Sequence, residues 1–251
     1  MSDGMPGRVE TSRATAAVER PVALVTGATR GIGRAIAIDL ARTHRVIVGG
    51  RDPETVGALV TELGDAAPFA VDLADEAHVA AAVAGLADGA GADGIDVLVH
   101  SAGVIGPIAP VAASDRAEFR RILELNVVAV ADLTARLLPA LRARRGLVVA
   151  INSGAGHNAG PRSSVYAASK FALRAVTDSL RAEEAPNGVR VTSIHPGRVG
   201  TDMQRELRAA EGGEYEHERY LEPDSVAATV RVAVDLPPSA SVHSLSVRPF
   251  G

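Results

Sequence analysis

Three side chains in one stretch of this sequence have the types and spacing for proton chemistry on an oxygen atom. Ser153 is followed thirteen residues later by Tyr166, and Lys170 comes four residues after that. Positions i and i+4 share a face of an α-helix, so an ammonium at 170 would stand beside a phenol at 166. A neighbouring positive charge favours the ionised phenol. A free tyrosine titrates near pH ~10, and it needs such help to exchange protons at neutral pH. Among 26 lysines and arginines, Lys170 is the sole lysine. Arginine would replace it poorly, because a planar fork differs in geometry from a compact ammonium. The spacing alone also fits a surface Tyr–Lys pair on an ordinary amphipathic helix. The single retained lysine weighs against that reading.

These groups need elements that bring them to one edge. Val22-Ala23-Leu24-Val25 reads as a strand buried on both faces. It runs into Thr26-Gly27-Ala28-Thr29-Arg30-Gly31-Ile32-Gly33, followed by a helical pattern from Arg34 to Thr43. Strand, glycine turn and helix form the setting of a phosphate-binding loop, in which backbone N–H groups at the helix start face an anion. Gly27, Thr29, Arg30, Gly31, Ile32 and Gly33 are therefore cofactor-binding candidates. A tight turn that merely needs glycine is the plainer alternative. A P-loop is excluded because no Gly-Lys-Ser/Thr follows.

The alternation then continues. Strands are expected at 45–50, 68–71, 95–99, 147–151, 189–194 and 242–247, with helices at 53–64, from Asp75, at 114–144, around Tyr166 and Lys170, and at 223–236. Pro139 should bend or end the last turn of the long 114–144 helix. The pattern predicts a single doubly wound α/β domain of Rossmann type, a parallel sheet of about seven strands with helices on both faces. The segments that follow three of these strands read Asp72-Leu73, His100-Ser101-Ala102-Gly103 and Pro196-Gly197-Arg198-Val199-Gly200-Thr201. A polar run over 202–220 with Gly212-Gly213 inside it stands where a substrate lid would.

Composition bounds the rest. The chain of 251 residues is 47% hydrophobic, enough for one large core, so it is not divided further. Its net charge is −4 with arginines scattered among acids, which gives no nucleic-acid footprint. It has no cysteine, hence neither disulfides nor thiolate chemistry. No apolar run approaches the ~20 residues of a membrane span. Residues 1–20 are polar, without the apolar core of a signal peptide, and read as a disordered tail. The seven histidines show no ligand spacing, so no metal is expected, and His157 reads as a surface histidine more than a pocket residue.

Two separated motifs, Thr-Gly-x-x-x-Gly-x-Gly at 26–33 and Tyr-x-x-x-Lys at 166–170, resemble the signatures of the short-chain dehydrogenases/reductases. The resemblance runs from about Pro21 to the C-terminus. It implies an oxidoreductase that moves hydride between a nicotinamide cofactor and a carbonyl or secondary alcohol. By this resemblance Tyr166 passes the proton, Lys170 tunes it and holds the cofactor ribose, Ser153 orients the substrate oxygen, and Asn126 supports a proton relay. An Asp at position 72 would border the adenine, though a helix cap suits it nearly as well. The 196–201 segment would meet the nicotinamide amide. At the end of the second strand stand Arg51 and Asp52. Arg51 with Arg30 would grip a 2′-phosphate, so NADP(H) is expected; an inward Asp52 would favour NAD instead. The chain departs from the family at His100-Ser101, where Asn-Asn is usual, which leaves the role of Ser101 open. The alternatives are an acyl-thioester (3-oxoacyl) ketoreductase and a non-catalytic NADP-binding sensor or scaffold, the latter predicting loss of the tyrosine or lysine. A small-molecule substrate, a cytoplasmic homodimer or homotetramer, and neither nucleic acid nor membrane as partner complete the expectation.

Overall fold

Runs of β-branched and aliphatic residues set the sheet. Val22–Thr26 (β1), Val97–His100 (β4) and Leu147–Ile151 (β5) are buried at every position. Strands closed on both faces belong to a parallel sheet covered by helices on each side. A computed structural model of the chain describes residues 20–89, 91 and 94–250. The expected N-terminal tail, save Arg20, lies outside the described residues.

The other strands are Arg45–Gly50 (β2), Ala66–Ala70 (β3), Arg190–Pro196 (β6) and Ser244–Val247 (β7). Their order is β3-β2-β1-β4-β5-β6-β7, with every neighbouring pair parallel. The chain walks outward from β1 to β3, then returns to lay β4 beside β1. Strand order therefore reverses between β1 and β4, and a crevice opens there at the carboxyl ends. Register lines those ends up: Thr26 pairs with His100, His100 with Ala150, and Ile151 with Ile194.

Eight α-helices join the strands among the described residues: Gly31–Leu40 (α1), Pro53–Leu63 (α2), Glu76–Ala87 (α3), Arg116–Leu123 (α4), Ala129–Arg144 (α5), Ser164–Glu184 (α6), Asp202–Glu211 (α7) and Pro223–Val234 (α8). Ile36, Leu40, Val56, Leu59, Val226 and Val230 from α1, α2 and α8 fill the core on one face. Val79, Leu86, Leu133, Leu137 and Leu141 from α3 and α5 fill the other. Leu173 of α6 packs with Val130 and Ala150 beside β5.

Several expected boundaries move. The continuous helix over 114–144 is instead a short 3₁₀ turn at Val111–Ala113, then α4, a π-helical turn at Glu124–Val128, and α5. The π turn admits an extra residue, and Asn126 within it faces inward, where its amide is fully bonded. Pro139 does not end α5, which runs on to Arg144 and stops at Arg145 in a left-handed conformation. Proline withholds one intrahelical N–H, and packing of Leu137 and Leu141 on the sheet outweighs that loss. The strand expected at 68–71 is shifted to Ala66–Ala70, and β4 and β7 start two residues later than expected. The polar run after Thr201 opens on α7, capped by the Thr201 hydroxyl. A bridge between Val199 and Leu221 pins the two ends of that insertion together.

The start of α1 depends on one close approach. A Cβ on Gly33 would stand 2.1 Å from the Gly27 carbonyl oxygen. Helix propensity favours alanine over glycine by about 1 kcal/mol. Overpacking costs about 1–3 kcal/mol or more, and here the obstacle is backbone. The clash should win. Gly33→Ala is therefore expected to lower the urea midpoint by a net loss of roughly 1–2 kcal/mol or more. A midpoint equal to or above that of the parent chain would contradict the packing described.

Candidate functional site

The site is built where β1, β4, β5 and β6 end. Thr26 closes β1, and its hydroxyl oxygen accepts from the amides of Ser101 at 3.1 Å and Ala102 at 3.2 Å. This holds the loop after β4 against the glycine turn. A Cβ on Gly27 would meet Ala102 Cα at 2.8 Å, so that contact also requires glycine. The Ala28 amide donates to Gly49 O at 2.8 Å and ties the same turn to β2.

Two asparagines brace the other side. Asn126 Oδ1 accepts from the Val104 amide at 2.9 Å, and its Nδ2 donates to Val104 O at 2.8 Å and Ser169 Oγ at 3.0 Å. Ser169 in turn donates to Tyr166 O at 2.7 Å. Asn126 thus links the π turn, the loop after β4 and α6. Asn152 follows β5; its Oδ1 accepts from the Ser153 amide, and its Nδ2 donates to Lys170 O at 3.2 Å. Sequence reasoning passed over Asn152 and the side chain of Thr26. Polar side chains next to buried strand ends were the available signal.

Lys170 is 5% exposed, and its Nζ donates to Ile151 O at 3.0 Å. The ammonium lies 5.7 Å from the centroid of the Tyr166 ring. The two side chains are neighbours as the i, i+4 spacing expects, with the charge over the ring and within cation–π range. Desolvation brings the Lys170 pKa down to about 8. Burial likewise pushes the Tyr166 phenol up, and the neighbouring Ser153 hydroxyl pulls it back. The approach of Ser153 to Tyr166 falls short of a hydrogen bond; Ser153 Oγ instead accepts from the Ala155 amide at 3.1 Å. That leaves the Ser153 O–H free to donate.

Ser153, Tyr166, Ile32, Pro196, Gly197, Val199 and Thr201 come together around a cavity of about 360 Å³. Gly27, Thr29, Arg30, Gly31, Gly33, Arg51, Asp72, Leu73, Ser101, Ala102 and Gly103 lie outside that cavity, on the turns that end β1 to β4 and the first turn of α1. Arg30 precedes α1 without giving its first turn a side-chain cap, so those amides stay open. Arg30 and Arg51 are exposed and form no ion pair among the described residues, whereas Arg34 is paired with Glu62 at 2.6 Å. The Asp52 carboxylate is committed to the start of α2, where it accepts from the amides of Glu54 and Thr55. Its bonds to Thr55 and Glu54 hold it below the usual carboxylate range. Asp72 accepts from the Ala74 amide, and Asp75 is the residue that caps α3.

The histidines sort by tautomer. Thr134 gives its hydroxyl proton to Val130 O at 2.7 Å, so His100 Nε2 must donate to Thr134 Oγ1 at 2.8 Å. Burial drives the His100 pKa to about 4, and it stays neutral as a packing group. The departure at position 100 is thus structural. His195, which the sequence reading left out, is 1% exposed and donates from Nδ1 to Ser153 O at 3.0 Å. The His157 ring packs against it, tilted by 37° with centroids 4.0 Å apart, and accepts from Arg174. It lies outside the cavity lining, supporting the Ser153 backbone through His195. No helix among the described residues is long and apolar enough to cross a membrane.

A family model described as short chain dehydrogenase matches residues 21–212. The chain is similar to farnesol dehydrogenase of Aedes aegypti, 33% identical over 92% of this chain and 96% of that one. It is equally similar to serine 3-dehydrogenase of Rhizobium radiobacter, 33% identical over 90% and 92%. Among solved structures, an alcohol dehydrogenase from the archaeon Thermococcus sibiricus, complexed with 5-hydroxy-NADP, superposes with a TM-score of 0.81. It is 28% identical, with 92% and 97% of the two chains covered.

The sole lysine allows a direct test of the site's electrostatics. With lysine alone labelled with nitrogen-15 at Nζ, the chain should give one side-chain resonance. Because desolvation disfavours the ammonium, Nζ should lose its proton as pH rises through about 8. A midpoint at the ordinary lysine value of 10.5 would contradict the burial of this group.

Proposed function

This chain belongs to the short-chain dehydrogenase/reductase family, and we propose that it is an NADP(H)-dependent oxidoreductase interconverting a secondary alcohol and its carbonyl compound. The observation that carries this reading is the free Ser153 hydroxyl beside Tyr166, on one cavity, with Lys170 buried behind the ring.

The residues present suit a dinucleotide. Gly27 and Gly33 leave backbone-to-backbone contacts that a Cβ would fill, and the uncapped amides of α1 are donors for a pyrophosphate. Lys170 spends one of its three N–H groups on Ile151 O, and the other two would hold ribose hydroxyls. Arg30 and Arg51, without an ion pair among the described residues, supply two cations for a 2′-phosphate, while Asp52 is engaged as a helix cap. When bound, NADP(H) supplies or accepts the hydride.

The chain's own residues handle the oxygen. Ser153 donates to the substrate oxygen and holds it near the Tyr166 phenol. In reduction the carbonyl carbon gains the hydride and the oxygen gains the Tyr166 proton. In oxidation both steps reverse, and Tyr166 takes the alcohol proton. Its raised pKa keeps the phenol protonated, which suits donation in the reductive direction. Asn126 acts as a brace for α6 through Ser169.

Binding titrations test the cofactor assignment. The purified chain should bind NADPH more tightly than NADH, and Arg51→Ala should narrow that gap by about 1–3 kcal/mol. Equal affinities in the parent chain, or a preference for NADH, would contradict the role given to Arg30 and Arg51.

A further inference from the structure

The cavity beside Ser153 has an imbalance of charge. Its lining includes Arg162, Arg198 and Arg248 but a single carboxylate, Glu211. Glu211 is spoken for. Arg198 binds it in bidentate fashion at 2.6 and 2.9 Å, and Arg208 adds a third contact at 2.6 Å. Arg162 and Arg248 face the cavity with no ion pair among the described residues. A concave site of one sign concentrates ligands of the other.

Arg248 is also held in place. Its Nη1 donates to His195 O at 2.5 Å and to Val247 O at 3.0 Å. The side chain lies against two glycines: a Cβ on Gly154 would stand 3.1 Å from Nη2, and one on Gly197 would stand 3.1 Å from Cδ. With Nη1 spent on the protein, Nη2 and Nε make no hydrogen bond among the described residues. Nη2 is the atom that lies against Gly154, the residue after Ser153. A fixed guanidinium edge with free N–H groups matches the two oxygens of a carboxylate.

We propose that the substrate is a short hydroxy or oxo acid whose carboxylate is held by the free edge of Arg248, with Arg162 adding a second positive charge. This rests on the reading of the same cavity as an alcohol–carbonyl oxidoreductase site. The reacting oxygen sits at Ser153 and Tyr166, and the guanidinium lies against Gly154, the residue after Ser153. Only a few carbons therefore separate the carboxylate from the reacting centre. A neutral alcohol or an acyl thioester brings no charge to that position.

The test compares a matched pair on the full chain, with and without NADPH: 3-hydroxybutyrate and its methyl ester, with binding measured by calorimetry. The acid should bind roughly tenfold more tightly or better, as expected for a charge-assisted bidentate contact. In Arg248→Gln the acid-to-ester ratio should fall toward one. That substitution also removes two ties to backbone carbonyls, so Arg248→Lys serves as the second variant. It keeps the charge and loses the fork, and it should reduce the ratio. Arg162→Gln, which gives up only a 3.4 Å contact to Ile108 O, should reduce the ratio by less.

An acid that binds no better than its ester in the parent chain would overturn the proposal. So would a ratio that survives in Arg248→Gln and Arg248→Lys. Turnover separates the two levels of inference. Oxidation of neutral 2-butanol with no acid preference would leave the oxidoreductase reading standing and remove the carboxylate. Acid-selective binding that depends on Arg248, without turnover of either alcohol, would do the reverse.

Discussion

The site depends on one hydrogen bond, from the Lys170 ammonium to the Ile151 carbonyl at 3.0 Å. A buried charge is costly unless it is paired or bonded, and here the bond given is a single carbonyl at the end of β5. The cost appears as a pKa brought down to about 8. The bond also fixes geometry. It anchors α6 to the carboxyl edge of the sheet, one helical turn from Tyr166 and two residues before Ser153. Gly103 leaves room for the Asn126 amide nearby, since a Cβ there would approach Oδ1 at 3.2 Å.

Around that bond the structure uses side chains to replace hydrogen bonds that regular elements no longer supply. Thr26 takes two amides from the loop after β4, Asn126 takes one amide and gives to one carbonyl there, and Asn152 joins β5 to α6. Each stands where a strand ends or a helix widens, so each meets backbone groups without a ladder partner. The π turn at Glu124–Val128 belongs to the same scheme. It turns Asn126 inward, and the amide then bridges three segments that border the site. Rigid polar bridges of this kind keep the oxygen-binding groups in place before any ligand arrives.

Much of this was legible in the residues. Fully apolar runs at Val22–Val25 and Leu147–Ile151 announced strands closed on both faces, and the glycine turn announced α1. Ser153 and Tyr166 do converge on one cavity. Less legible were features set by long-range packing. Periodicity reads an α-helix through 114–144 and does not register a π turn, because a single widened turn is too short to show a period of its own. The i, i+4 rule placed Lys170 beside Tyr166, but the rule says nothing of Ile151, whose carbonyl draws the ammonium over the ring. His195 and Arg248 come from strand ends far from the motif, and only the order of β5, β6 and β7 brings them beside Ser153.

The central claim is that the Tyr166 hydroxyl carries the proton while Lys170 and Ser153 position and tune the exchange. Tyr166→Phe isolates it, since the ring stays to pack against the Lys170 ammonium and one oxygen is removed. The measurement is turnover of a carbonyl substrate beside NADPH affinity on the same protein. The account predicts affinity close to the parent chain's and a turnover reduced by about 10²–10⁴-fold, the span of general acid–base catalysis. Near-parental turnover in the folded variant would place the proton on another group and contradict the account.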